Sequence, residues 1–236
     1  LSALAHEHGL LLYEDQGSGA LLADGVLADA GERPTSVSLG AGVDVVSCSG
    51  DKLLGASQAG IILGSAQAIA ACASHPLMRA LRPGKLTLAA LEATLRLYVA
   101  GPDTAHREIP VINMLSAASA PLERQAKRLH DRMLRKLRDS QFEEAVELQV
   151  VEGASAPGGG SLPTVELPTF CVAVCPVDGR LSADGLKRAL VQEPDTPVVT
   201  RVRHDQVLFD VRTLLRDTDL DLCASALVDA VRAGLR

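Results

Sequence analysis

The stretch VSCSGDKLLGASQAGIILG, from Val46 to Gly64, contains two short apolar runs joined by a turn of small residues. Both runs are too short for helices and rich in aliphatic residues, so they predict buried strands. The turn carries Lys52, although an ammonium group is costly to bury. Because open α/β sheets place their ligand sites beyond the carboxyl ends of strands, Lys52 is a candidate functional residue. An ordinary lysine in a solvent-facing turn is the alternative interpretation.

A carboxylate is predicted at the same edge of the sheet. The run LLLYED, residues 10–15, is typical of another buried strand and ends at Asp15. Ser49, Gly50 and Gly55 surround Lys52 with small side chains, so the backbone could approach a ligand closely. A lysine that attacks a carbonyl group is often held in a desolvated pocket, which favours its neutral form. A carboxylate on the neighbouring strand could then pair with the protonated ring nitrogen of pyridoxal phosphate.

The composition narrows the class of protein. The chain has 236 residues, a net charge of -6, 2% aromatic residues and no tryptophan. The scarcity of aromatic rings argues against a surface that stacks nucleic-acid bases, and the acidic balance argues against binding a phosphate backbone by charge alone. Five scattered cysteines form neither a disulfide framework nor a zinc motif, which predicts a reduced, cytoplasmic protein without a metal site. No apolar run is long enough to span a membrane.

The order of elements predicts two domains. Strands alternate with helices in residues 1–115, which favours an α/β layer with a mostly parallel sheet. Residues 116–236 contain a long amphipathic helix, strand-like runs and a closing helix, which favours a small α+β domain with an antiparallel sheet. Within it, two strands are expected to form a hairpin that turns at His204, Asp205 and Gln206.

Three longer pieces carry a family resemblance: SGDKLLG at 49–55, KLTLAALEATL at 85–95 and GGGSLP at 158–163. In this order, over nearly the whole chain, they resemble the bacterial L-seryl-tRNA(Sec) selenium transferases, which are pyridoxal-phosphate enzymes of fold type I. The resemblance implies part of a cofactor-binding large domain followed by a small C-terminal domain. Family members are roughly twice as long, so we expect the chain to be a C-terminal half without the tRNA-binding region.

The resemblance also implies roles for four residues around the cofactor. Lys52 matches the lysine that forms the Schiff base with pyridoxal phosphate, and Asp15 matches the carboxylate at the ring nitrogen. Ser49 resembles a residue of the cofactor phosphate site. Asp51 matches an aspartate of the family's active site.

Two arginines, Arg79 and Arg82, are similar to those that hold the selenium donor in the family. Their i, i+3 spacing predicts one shared helix face, and two guanidinium groups there would suit a tetrahedral oxyanion such as a phosphate. A solvated helix face is the alternative interpretation of the same spacing.

The implied reaction converts seryl-tRNA(Sec) to selenocysteinyl-tRNA(Sec), with selenophosphate as the selenium donor. It proceeds by β-elimination to a dehydroalanyl intermediate and addition of selenium. The resemblance further implies a homo-oligomer. Two alternatives stay open: a related pyridoxal-phosphate lyase or transferase acting on a small amino acid, and a truncated chain that associates with itself without catalysis.

Other charged residues have less specific patterns. Lys85 is a rival for the Schiff-base lysine, but it opens a predicted helix and is expected at the surface or near a phosphate. The helix predicted over residues 122–138 carries seven arginines and lysines. This basic helix could contact tRNA, or it could present an ordinary solvated face.

Overall fold

The computed structural model of the chain describes residues 1–23, 25–158, 161–162, 164–193 and 195–235. These residues divide into two compact units. Unit 1 comprises Leu1–Ser116 and Pro157–Val165, and unit 2 comprises Ala117–Ala156 and Glu166–Arg236. The assignment of domains to residues 1–115 and 116–236 stays a prediction. Three residues of the GGGSLP motif, Gly159, Gly160 and Pro163, lie outside the described residues.

Unit 1 contains a small sheet and short helices. Its strands are β1 (Tyr13–Gly17), β2 (Val45–Ser49) and β3 (Gly60–Gly64). Its helices are α1 (Ser2–Glu7), α2 (Gly25–Asp29), α3 (Thr35–Gly40), α4 (Ala66–Ser74), α5 (Leu77–Leu81), α6 (Lys85–Val99), α7 (Pro102–Glu108) and α8 (Pro110–Ser116).

The sheet of unit 1 is mixed, with the strand order β1-β2-β3. Strands β1 and β2 are parallel, as expected, and Asp15 stands opposite Ser47 in their register. Strand β3 runs antiparallel to β2, so the expectation of a mostly parallel sheet holds for one of the two strand pairs. The physical reason is the length of the connection. Residues 50–59 are too few for the crossover that a parallel neighbour requires.

The two faces of this sheet differ in packing. On β2, Val46 and Cys48 are buried, whereas Ser47 and Ser49 are only partly covered. Because side chains alternate along a strand, Val46 and Cys48 face the core, and Ser47 and Ser49 lie on the opposite face of the sheet. The opposite face therefore carries small residues on β2, and glycine occupies the first position of β3.

Unit 2 contains a four-stranded antiparallel sheet with the order β4-β5-β7-β6. The strands are β4 (Val146–Ser155), β5 (Leu167–Pro176), β6 (Arg201–Arg203) and β7 (Gln206–Asp210). The helices are α9 (Ser119–Asp139), α10 (Ala183–Gln192) and α11 (Asp217–Leu235), and a 3-10 turn spans Val211–Thr213. The predicted hairpin joins β6 to β7. Its turn consists of His204 and Asp205, which have positive φ angles, whereas Gln206, expected in the turn, is the first residue of β7.

The core of unit 2 is formed by an apolar stripe on α9. The buried residues of this helix repeat every three or four positions, as an amphipathic helix requires: Leu122, Ala126, Leu129, Met133 and Leu137. The stripe packs against α11 and β5. The sequence pattern was sufficient to predict this helix, because the spacing alone selects the face that enters the core.

Part of the basic face of α9 is neutralised within unit 2. Arg132 lies 2.5 Å from Asp217 and 3.0 Å from Asp221, both in the first part of α11, and Arg128 also pairs with Asp217. These contacts favour a structural role for the middle of the basic helix. Among the described residues, no helix combines the length and the apolarity needed to cross a membrane.

Leu129→Ala should destabilise the protein, because Leu129 is completely buried in the α9 stripe. A buried leucine replaced by alanine costs about 2–5 kcal/mol of unfolding free energy. Urea unfolding measures this loss: the denaturation midpoint should fall while the m-value stays unchanged. Arg124→Ala, at an exposed position of the same helix, is the control and should change the free energy by less than about 0.5 kcal/mol. Equal midpoints for the two variants would contradict the assignment of the core.

Candidate active site

An open cleft of about 910 Å³ lies within unit 1, on the small-residue face of the sheet. Its lining includes Asp15, Ser47, Ser49, Asp51 and Lys52. Four of these residues were candidates from the sequence, and the structure brings them together at one edge of the sheet. They meet there because β1 and β2 are parallel, so the carboxyl ends of both strands lie on the same side.

The loop that carries Lys52 is anchored by the two residues that follow it. Leu53 and Leu54 are buried, with 2% and 1% of their surface exposed. The backbone N–H of Leu53 donates to the carbonyl of Ser18 at 3.0 Å. The Tyr98 hydroxyl donates to the carbonyl of Leu54 at 2.9 Å. Burial raises the pKa of Tyr98 to about 12, so this hydroxyl keeps its proton at neutral pH.

The Lys52 side chain extends along the end of β1. Its Nζ atom lies 3.7 Å from the point where a Cβ atom at Gly17 would be, and Gly17 has a φ of +70°. A larger residue at position 17 would therefore touch the amine and would also strain the backbone. Among the described residues, the Lys52 amine has no recorded hydrogen bond or ion pair. It is consequently available to a ligand in the cleft.

Asp15 is held by a neighbour that the sequence analysis did not identify. The Ser47 hydroxyl donates to Asp15 Oδ1 at 2.8 Å, and the Tyr13 hydroxyl lies 2.7 Å from the same Ser47 oxygen. Period-2 alternation along a strand groups Tyr13 with Asp15 and Ser47 with Ser49. This alternation is visible in the sequence. The hydrogen bond between Ser47 and Asp15 also depends on the register of β1 against β2, which the alternation does not specify.

Ser49 and Asp51 contact each other. The Ser49 hydroxyl donates to Asp51 Oδ1, so the aspartate is oriented by the end of β2. A serine hydroxyl has one proton, so Ser49 donates either to Asp51 or to a phosphate oxygen, and not to both. The roles predicted for Ser49 and Asp51 stay predictions.

The two candidate arginines do not line the cleft. Arg79 lies in the last turn of α5, and both arginines are exposed. The helix ends at Leu81, and Arg82 adopts extended backbone angles, so the shared helix face expected from the spacing does not form. Their neighbours Met78 and Leu81 do line the cleft. The rival lysine, Lys85, is exposed at the first residue of α6 and also lies outside the lining.

The chemistry of the cleft fits pyridoxal phosphate. The cofactor needs an amine for its carbonyl carbon, a carboxylate for its ring nitrogen and donors for its phosphate. Lys52 has an amine, Asp15 a carboxylate and Ser49 a hydroxyl, and all three line the same cleft, so these residues would be able to hold the cofactor.

Comparisons with known proteins give one family match and several related sequences. The model of the family described as L-seryl-tRNA selenium transferase matches residues 1–215. The chain is 43% identical to the L-seryl-tRNA(Sec) selenium transferase of Moorella thermoacetica over 235 residues, covering 100% of this chain and 48% of the relative. It is 42% identical to the enzyme of the same name from Aquifex aeolicus, covering 92% of this chain and 45% of the relative. The chain thus spans about half the length of the curated relatives it matches.

Solved structures resemble the chain more distantly. Serine palmitoyltransferase from Sphingomonas wittichii is 16% identical, with a TM-score of 0.34, and the match covers 99% of this chain and 50% of that one. Alanine-glyoxylate aminotransferase from Nostoc is 18% identical, with a TM-score of 0.34, covering 100% of this chain and 56% of that one. Superpositions with scores of this size carry no conclusion about the site.

Gly55→Ala should destabilise unit 1 next to the Lys52 loop. Gly55 has a φ of +75°, and a Cβ atom there would lie 2.6 Å from Ile109 and 2.8 Å from Val111. The left-handed backbone alone costs an alanine about 1–2 kcal/mol, and each kcal/mol lowers the melting temperature by roughly 2–4 °C. Gly40→Ala is the control, because a Cβ atom at Gly40 meets nothing within 4 Å. Thermal unfolding measures the melting temperature of each variant. An equal decrease in both variants would contradict the predicted clash between a side chain at position 55 and its neighbours Ile109 and Val111.

Proposed function

Because the chain belongs to the L-seryl-tRNA selenium transferase family, we propose that its cleft binds pyridoxal phosphate and serves the conversion of seryl-tRNA(Sec) to selenocysteinyl-tRNA(Sec). One observation carries the proposal: the Lys52 amine and the Asp15 carboxylate line one cleft at the end of two parallel strands. Within the described part of the chain, that amine has no hydrogen bond or ion pair. This arrangement is found in the chain segment that matches the family.

Pyridoxal phosphate, when bound, supplies an electron sink that stabilises negative charge at the Cα atom of an attached amino acid. Asp15 is proposed to hold the ring nitrogen in its protonated form, which strengthens that sink. Ser49 is proposed to donate a hydrogen bond to the phosphate group. Both assignments use side chains that already line the cleft.

Lys52 has two proposed tasks. Its amine holds the cofactor before the substrate arrives, and afterwards it accepts the proton from the Cα atom of the seryl group as a general base. The Cβ–O bond then breaks, and the serine hydroxyl leaves as water with the proton that Lys52 had accepted. The resulting Cα=Cβ bond is open to addition of the selenium nucleophile at Cβ. Asp51, adjacent to Lys52, is proposed to contribute to the same proton transfers. Its hydrogen bond from Ser49 is given up when that hydroxyl donates to the phosphate.

Arg79 and Arg82 are proposed to bind selenophosphate. Both guanidinium groups are exposed and have no recorded ion-pair partner among the described residues, so they are available to an anion. They flank Leu81, which lines the cleft, so an anion held by them would lie near its rim. Homo-oligomerisation of the protein stays a prediction from the family resemblance.

Lys52→Ala should abolish the visible absorbance that pyridoxal phosphate acquires when a lysine holds it covalently. The matched control is Lys85→Ala, which removes an exposed lysine outside the cleft and should retain the band. Titration of each purified protein with the cofactor measures the band. A band that survives Lys52→Ala and disappears in Lys85→Ala would transfer the role to the rival lysine. A wild-type protein without the band would reject cofactor binding and favour the non-catalytic alternative.

Replacing Arg79 and Arg82 together by alanine should impair use of selenophosphate without impairing cofactor binding. Loss of charged hydrogen bonds to an anion predicts a rise in KM for selenophosphate of roughly tenfold or more. The measurement is selenocysteinyl-tRNA formation with varied selenophosphate, beside cofactor absorbance of the same samples. Arg96→Ala, whose exposed side chain pairs with Glu92, is the control. Equal losses of cofactor binding and selenophosphate use would contradict a donor-binding role.

A further inference from the structure

Two hydroxyl groups and one carboxylate form a row on the cleft face of the sheet. Tyr13 and Asp15 are two residues apart on β1, and Ser47 stands opposite Asp15 on β2. The Tyr13 oxygen lies 2.7 Å from the Ser47 oxygen, and the Ser47 oxygen lies 2.8 Å from Asp15 Oδ1. We propose that Ser47 and Tyr13 are positioning residues that hold the Asp15 carboxylate in the orientation required by the ring nitrogen of the cofactor.

The direction of the hydrogen bonds follows from the number of protons. An ionised carboxylate only accepts, so the single hydroxyl proton of Ser47 is donated to Asp15. The Ser47 oxygen can then only accept from Tyr13, whose hydroxyl becomes the donor. The row is therefore a directed chain from Tyr13 through Ser47 to Asp15, and each bond orients the next group.

The chain leaves one carboxylate oxygen for a ligand. Oδ1 is bound to Ser47, whereas Oδ2 has no recorded hydrogen-bond partner among the described residues. The χ2 torsion angle of aspartate, which rotates the carboxylate about the Cβ–Cγ bond, has a broad energy profile. An exposed aspartate without a hydrogen-bond partner therefore samples many carboxylate orientations. A ligand-binding group must be held within about 10–20° of its productive orientation. Ser47 supplies this restraint at Asp15.

The opposite face of β1 provides a matched contact. The hydroxyl of Ser38, on α3, donates to Glu14 Oε1 at 3.0 Å. This is also a serine bound to a carboxylate of β1, but Glu14 points away from the cleft because side chains alternate along a strand. Ser38→Ala thus removes a hydrogen bond of the same kind without touching the cleft.

The first measurement needs no cofactor. In the purified protein with ¹³C-labelled aspartate and glutamate, Ser47→Ala should move the side-chain carboxyl resonance of Asp15 and leave that of Glu14 in place. Ser38→Ala should do the reverse. Ser47→Thr, which keeps a hydroxyl, should restore the Asp15 resonance. An Asp15 resonance unchanged by Ser47→Ala would overturn the proposal.

The second measurement rests on the proposed function, because it uses bound cofactor. Pyridoxal phosphate labelled with ¹⁵N at the ring reports protonation of that nitrogen through its chemical shift. Ser47→Ala should shift the signal toward the unprotonated form and weaken cofactor binding by roughly tenfold, the effect of losing one hydrogen bond to a charged group. Tyr13→Phe should change both in the same direction by less, and Ser38→Ala should change neither.

The outcomes separate the two hypotheses. If wild-type protein binds no cofactor while Ser47→Ala still moves the Asp15 resonance, the proposed function fails and the positioning of Asp15 by Ser47 is upheld. If cofactor binds to wild type and to Ser47→Ala with the same affinity and the same ¹⁵N shift, the positioning role is overturned and the proposed function survives.

Discussion

The backbone hydrogen bond from Leu53 to Ser18 ties the loop after β2 to the segment after β1, and the placement of the candidate site depends on this link. Leu53 and Leu54 fill the interior on one side of the loop, so the residue before them extends over the other side. The Lys52 amine thereby reaches the end of β1 near Gly17. Without these apolar anchors, a lysine in a turn of small residues would have no defined position.

The parallel register of β1 and β2 adds a second constraint. It sets Asp15 opposite Ser47, so a carboxylate on one strand receives a hydroxyl from the next. The same register places the ends of both strands at one edge, where Lys52 and Asp15 share a cleft. Small residues at this edge, among them Gly17, Ser47 and Ser49, leave the cleft open. The cleft therefore follows from strand direction, register and residue size together.

Several features could be predicted from the sequence, and others needed more than periodicity. The α9 stripe and the β6–β7 hairpin were predicted because helical spacing and turn signals are local properties. The antiparallel direction of β3 was missed, although the short connection from β2 implied it. The end of α5 was also missed. Arg82 precedes Pro83, and a residue before proline disfavours helical angles, so the spacing to Arg79 did not produce a common face.

The residue types along the chain establish which side chains are available for chemistry. The sequence predicted a lysine after one strand, a carboxylate on the neighbouring strand and the family to which the chain belongs, because residue types and their order are properties of the chain. The burial expected for the run LLLYED was wrong: Leu10 and Leu11 are 62% and 72% exposed, and β1 continues past Asp15 to Gly17. Which of these side chains contact each other depends on the folded arrangement of the strands. The contact between Ser47 and Asp15 joins residues 32 positions apart, and it exists because the β1–β2 register aligns them. Hydrogen bonds of this kind depend on distances of a few tenths of an ångström, which residue spacing along the chain does not specify.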